Sequence, residues 1–194
     1  MQPGGLGWTG MAAPTLVVVS GPPGAGKTRL AHDLARAIAC PAVCRDEIKE
    51  GMVHAEPGDF RPAAGDPLTV RAFETFFDVL RMMVTAGVTV VAEAAFQNRL
   101  WRAGLEPLSD LAQLRVVQCT VDAATARARI ASRRAAAEPG RAAHAEILDL
   151  DSLEESFAAF ERISISAPSI VVDTTDGYSP GLAEIVEFVN RSEE

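Results

Sequence analysis

The chain has 194 residues, of which 48% are hydrophobic and 23% charged, with a formal net charge of −8. That is enough apolar material for one sizeable core in a single domain. The acidic balance offers no general attraction to nucleic-acid phosphates or to an anionic membrane surface, so a small molecule is the expected partner, with no nucleic acid and no membrane.

Residues 1–13 (MQPGGLGWTGMAA) lack the basic start and continuous apolar core of a secretory signal. They read as a disordered leader ahead of a domain spanning 14–194, and the chain is expected to be cytoplasmic. Thr15 to Ser20 (TLVVVS) is β-branched and apolar on both faces, as a central parallel strand covered by helices on both sides requires. A glycine-rich turn follows. From Lys27 to Ala39 the residues Leu30, Leu34, Ala37 and Ile38 fall on one face of an amphipathic helix.

The alternation then repeats. Ala42 to Cys44 is a short strand, and Leu68 to Ala86 is a helix with Phe73, Phe76, Phe77, Leu80 and Val84 on its buried stripe. Val88 to Ala92 is an all-apolar strand, Arg99 to Leu111 a helix, and Leu114 to Val121 a strand. Ala123 to Ala137 and Leu150 to Ile163 read as helices, Ser169 to Asp173 as a last strand and Gly181 to Arg191 as a closing helix. Strands alternating with helices imply an α/β fold with a parallel sheet and right-handed crossovers.

Two stretches break the alternation. Val53 to Pro67 is rich in proline and glycine and reads as a mobile loop on the substrate side. Arg133 to His144 gathers Arg133, Arg134, Arg141 and His144 around a Pro-Gly turn and reads as a lid. Cys40, Cys44 and Cys119 match no metal or disulfide spacing and are expected to be reduced structural residues.

The chemistry centres on GPPGAGKT, Gly21, Pro22, Pro23, Gly24, Ala25, Gly26, Lys27 and Thr28, which fits G-x-x-x-x-G-K-[ST] at every fixed position and lies between a strand and a helix. Glycines let backbone N–H groups approach phosphate oxygens, and the following helix adds its positive end. Lys27 is expected to reach the β- and γ-phosphates of ATP, and the Thr28 hydroxyl to bind Mg²⁺.

Arg45 and Asp46 follow the second strand directly, where ligands of parallel sheets sit, and Asp46 suits a base or orienter for an acceptor hydroxyl, or a metal contact through water. Glu93 ends an all-apolar strand, a costly place for a carboxylate without a partner; it either holds metal through water or contacts the acceptor. Gln97, Asn98 and Arg99 follow in the same loop, within reach of substrate, with Arg99 and His144 as further substrate contacts. Arg127, Arg129, Arg133 and Arg134 share one helix, with Arg129 and Arg133 on one face, placed to neutralise charge on a transferred phosphoryl group. No guanine-reading Asn-Lys-x-Asp segment appears, which disfavours a GTPase.

GPPGAGKT together with RDEIKEGM (45–52), VVAEAAF (90–96), ARIASRR (128–134) and VDTTDGYSP (172–180) resembles the small P-loop kinases of the AAA_33 grouping, which includes relatives of chloramphenicol phosphotransferase and zeta toxin. The resemblance implies a P-loop NTPase fold with a five-stranded parallel sheet of order 2-3-1-4-5, ATP as donor and a hydroxyl on a small acceptor. It further implies Asp46 as catalytic base, Arg45 as an acceptor contact, Arg133 with Arg129 as lid arginines, and Thr174 to Tyr178, including Asp176 and Gly177, as part of the adenine-side wall beside Arg29. Arg141 and His144 resemble a lid-proximal pair. Glu93 stands where the usual Walker-B residue is Asp. A zeta-toxin-like nucleotide-sugar kinase and an ATPase or nucleotide-binding module without an acceptor are the alternative functions.

Overall fold

In a computed structural model of the chain, residues 13–55, 60, 66–135, 143, 157 and 159–191 are described. The leader, most of the 56–65 stretch and most of the expected lid, with Arg141 and His144, lie outside them.

The strands are β1 (Thr15–Ser20), β2 (Ala42–Cys44), β3 (Val90–Glu93), β4 (Gln113–Thr120) and β5 (Ser169–Asp173). They form one parallel sheet in the order β2-β3-β1-β4-β5. The helices are α1 (Lys27–Ala37), α2 (Arg45–Ala55), α3 (Pro67–Thr85), α4 (Asn98–Leu105), α5 (Ala123–Ala135) and α6 (Leu182–Asn190), with a 3-10 turn at Glu106–Leu108. Among the described residues, no helix is long and apolar enough to cross a membrane.

β1 is central, and alternation along it sends side chains into two cores. Leu16 and Val18 join Val90, Ala92, Leu114 and Val116 beneath the aromatic residues Phe76, Phe77, Phe96 and Trp101 of α3, α4 and the segment before α4. Val17 and Val19 join Val91, Val117 and Val172 against Leu30, Leu34, Ile185 and Val189 of α1 and α6. All four of these β1 residues are fully buried, which is why the strand is apolar on both faces.

Several boundaries differ from the sequence expectation. α2 continues through Val53, His54 and Ala55, so the expected loop is shorter at its start, and α3 opens at Pro67 with Asp66 as its N-cap, whose carboxylate accepts from the Thr69 amide at 2.9 Å. Asp66 also holds Lys49 of α2 at 2.7 Å, which closes the two ends of the stretch onto each other. β3 begins at Val90 because Gly87, at φ 78, turns the chain after α3, and it includes Glu93 as its last residue. α4 stops at Leu105, where Pro107 tightens the chain into the 3-10 turn. Phe160 to Ile163, expected at the end of a helix, are not helical: Arg162 bridges Gln97, and the Glu161 carbonyl accepts from Asn98 N–H.

Candidate functional site

The site gathers at the carboxyl ends of the strands, where β1 runs into the loop Gly21–Thr28. Gly21, Gly24 and Gly26 have φ of 153°, 77° and 67°, values that favour glycine. Sterics restrict two of them further. A Cβ on Gly21 would lie 2.6 Å from the Cys119 carbonyl oxygen, and one on Gly24 would lie 2.9 Å from that of Ala126. Gly26 caps α1 from the left-handed region, and its carbonyl accepts from Leu30 N–H at 3.0 Å, so α1 begins directly at the loop with its positive end toward it.

Lys27 Nζ donates to the Pro22 carbonyl at 3.1 Å across the loop. Thr28 Oγ1 donates to Glu93 Oε2 at 3.0 Å. Glu93 is 2% exposed, and burial pushes its carboxyl above the ordinary value; Lys27 and the Thr28 hydrogen bond oppose this, while Asp46 and Glu47 add to it. The expectation that a carboxylate at the end of β3 needs partners is met by Thr28 and the Lys27 charge. Glu93 thus lies against Thr28 and is acted on by the charges of Lys27 and Asp46.

Arg45 and Asp46 open α2. Arg45 Nη1 donates to Asp46 Oδ1 at 2.8 Å and Arg45 Nη2 to the Thr69 carbonyl at 3.2 Å, so the arginine lies against α3 while Asp46 stays more than half exposed. α2 is held in turn by Lys49, 4% exposed, whose ammonium meets Asp66 Oδ2 at 2.7 Å and Thr69 Oγ1 at 2.8 Å. Burial raises the Asp66 carboxyl, but the Lys49 and Thr69 hydrogen bonds outweigh it and hold the group at about 2. Sequence reasoning missed this pair. Its members are 17 positions apart, and the helix that carries Lys49 was not read from the sequence.

Arg129 proves to be a fastener of the phosphate loop. Its guanidinium donates to the carbonyls of Gly24, Thr174 and Thr175. Thr174, 3% exposed, turns its hydroxyl inward to the Ala25 carbonyl at 2.9 Å and the Thr120 carbonyl at 3.1 Å. Asp176 and Gly177 are exposed on the loop after β5, which Asp173 and Ser179 close with a pair of backbone hydrogen bonds. Tyr178 binds that loop to α1 through Asp33 at 2.8 Å, and burial together with Asp33 pushes its hydroxyl up to about 12. Arg29 is exposed on α1, pairing with Asp33 at 3.8 Å, and Arg133 is exposed on α5 one turn beyond Arg129. The side chains of Arg99 and Arg134, and all of His144, lie outside the described residues.

The residues at the loop mouth suit a nucleoside triphosphate and Mg²⁺. α1 opens at the loop with its positive end, Lys27 supplies a cation, and Thr28 with Glu93 supplies hard oxygen donors of the kind that ion takes.

Comparison with known proteins bears on the family and the fold. The AAA_33 family, an AAA domain, matches residues 16–160. Among solved structures, a candidate kinase from Chloroflexus aurantiacus J-10-fl superposes with a TM-score of 0.80 at 22% identity, covering 94% of this chain and 100% of that one. The gluconokinase of Sinorhizobium meliloti 1021 gives 0.56 at 16% identity, covering 91% and 89%. The Mycobacterium tuberculosis APS kinase CysC, solved with AMPPNP and APS, gives 0.61 at 13% identity, covering 92% and 98%. At these identities the structures share the fold. No curated protein matches the chain.

Proposed function

The chain belongs to the AAA_33 family of AAA domains, and on that footing we propose that it is an ATP-dependent kinase that transfers the γ-phosphoryl group to a hydroxyl of a small-molecule acceptor. The observation that supports this reading is the buried Glu93 carboxylate, which accepts from Thr28 of the phosphate loop and is acted on by the charges of Lys27 and Asp46.

The backbone of Gly21 to Thr28 cradles the phosphates, and Lys27 swings from Pro22 to the β- and γ-oxygens. Thr28 would hold Mg²⁺, with Glu93 binding it through water; the ion, when bound, neutralises charge on the phosphates. Asp46, oriented by Arg45, accepts the proton of the acceptor hydroxyl as its oxygen attacks the γ-phosphorus in line. The bond to the β-γ bridging oxygen breaks and ADP leaves. Arg133, exposed on α5, would add positive charge to the transferred group. The APS kinase solved with AMPPNP and APS supports a nucleotide donor and a small acceptor on this fold.

The test is transfer of labelled γ-phosphate across a panel of hydroxyl-bearing metabolites and antibiotics with Mg²⁺. One acceptor is expected to be phosphorylated, with Asp46→Asn lowering kcat by about 10²–10⁴ while ATP binding persists. Hydrolysis of ATP with no acceptor phosphorylated across the panel would replace the kinase reading with that of an ATPase.

A further inference from the structure

The fold brings His32, Cys44 and Glu47 together outside the phosphate site, though their sequence spacing matches no metal pattern. His32 lies on α1, Cys44 ends β2 and Glu47 is in the first turn of α2. His32 Nε2 is 2.6 Å from Glu47 Oε1 and 3.7 Å from Cys44 Sγ, and one ligand atom from each residue lies within 4.8 Å of the other two. The thiol is buried at 2% exposure, while the imidazole and carboxylate side chains are 40% and 46% exposed, so the cluster has a buried floor and an open side.

The geometry points to a Zn²⁺ site formed by His32 Nε2, Cys44 Sγ and Glu47 Oε1, with a fourth position open to water. Tetrahedral zinc with bonds of about 2.0–2.3 Å needs ligand atoms about 3.3–3.6 Å apart. The thiol-imidazole distance of 3.7 Å already fits, and the His32–Glu47 contact has to open by about 0.7 Å, which two half-exposed side chains can do. A mixed sulfur, nitrogen and oxygen set suits Zn²⁺ over Mg²⁺ or Ca²⁺, which prefer oxygen alone.

Binding forms a zinc–sulfur bond, and the thiol proton passes to solvent. The neutral imidazole keeps its proton on Nδ1 and turns the Nε2 lone pair to the metal. Burial and the carboxylates of Glu93 and Glu47 push the Cys44 thiol above its ordinary value. Glu93 is the strand partner of Cys44, so a cation here adds positive charge beside the carboxylate that holds Thr28. It also ties α1, which carries Lys27 and Thr28, to α2, which carries Asp46, fixing the separation of donor and acceptor sides.

The experiment titrates metal-free full-length protein with Co²⁺ and then displaces it with Zn²⁺. A thiolate-to-cobalt charge-transfer band saturating at one cation per chain is expected, absent in Cys44→Ala and retained in Cys119→Ala. His32→Ala and Glu47→Gln are each expected to weaken Zn²⁺ by about tenfold or more. Both alter half-exposed side chains and carry the test if Cys44→Ala fails to fold. No band, a band that survives Cys44→Ala, or unchanged Zn²⁺ affinity in both surface variants would overturn the site and leave a surface His–Glu ion pair in its place.

Discussion

Lys49→Met tests whether α2, and Asp46 with it, depends on the buried clasp to Asp66. The substitution keeps most of the side-chain volume but removes the ammonium that meets Asp66 Oδ2 at 2.7 Å and Thr69 Oγ1 at 2.8 Å. Both partners are almost sealed, with side chains 5% and 4% exposed, so among the described residues Asp66 would keep Thr69 alone as donor. Removing one member of a buried pair costs about 3–5 kcal/mol. At about 2–4 °C per kcal/mol for a chain of this size, the thermal midpoint should fall by roughly 6–20 °C. The sign with pH is fixed by the Asp66 carboxyl, which lies at about 2 in the fold against an ordinary value of 3.8. A depressed acid stabilises the fold above its unfolded value, and that contribution is lost as pH falls through about 2. The wild-type advantage over Lys49→Met, followed by circular dichroism, should therefore be full above pH 4 and shrink below it. The double variant Lys49→Met/Asp66→Leu should recover much of the loss, because it removes the stranded charge. A Lys49→Met midpoint within about 2 °C of wild type would refute the clasp.

Glu93→Gln should separate stability from activity: removing a charge that burial opposes should raise the thermal midpoint of the ligand-free protein by roughly 2–4 °C, about 1 kcal/mol, while lowering γ-phosphoryl transfer by about 10²-fold or more. Gly24→Ala combines a left-handed backbone, costing about 1–2 kcal/mol for a residue with Cβ, with a 2.9 Å approach to the Ala126 carbonyl oxygen. ATP affinity, measured calorimetrically, should drop at least about tenfold. Gly104→Ala would place a methyl 2.3 Å from the Phe77 ring and should cost about 1–3 kcal/mol on thermal unfolding without changing nucleotide affinity.

The parts legible in the sequence are those encoded locally. GPPGAGKT carries its own geometry, because glycine positions and the strand and helix beside it are consecutive residues, and TLVVVS can be apolar on both faces only as a doubly covered strand. The strand order is not local, and it was reached through resemblance to a family. Where reading failed, the cause was distance or a misread breaker. The prolines and glycines between Val53 and Pro67 suggested a loop from residue 53, yet α2 runs on to Ala55. Glu161 to Ile163 have the composition of a helix end, but bonds to Gln97 and Asn98 hold them in another form. Helical spacing put Arg129 and Arg133 on one side of α5 without showing that the first reaches the phosphate loop.

That difference between two arginines gives a sharper division of labour than the lid idea alone. Arg129 bridges the Gly24 carbonyl and those of Thr174 and Thr175, so it binds the phosphate loop to the loop after β5. Arg133, one turn further, is exposed. Lysine preserves charge but cannot span two loops with one planar fork. Arg129→Lys should therefore weaken ATP, raising its KM about tenfold with a smaller fall in kcat, because the loop loses its fastening before chemistry begins. Arg133→Lys should lower kcat with KM for ATP nearly unchanged, as loss of an interaction made with developing charge requires. Steady-state kinetics on both variants distinguish the roles: equal KM and kcat effects would mean that the two arginines act as one unit, and the fastening seen at Arg129 would then be incidental to catalysis.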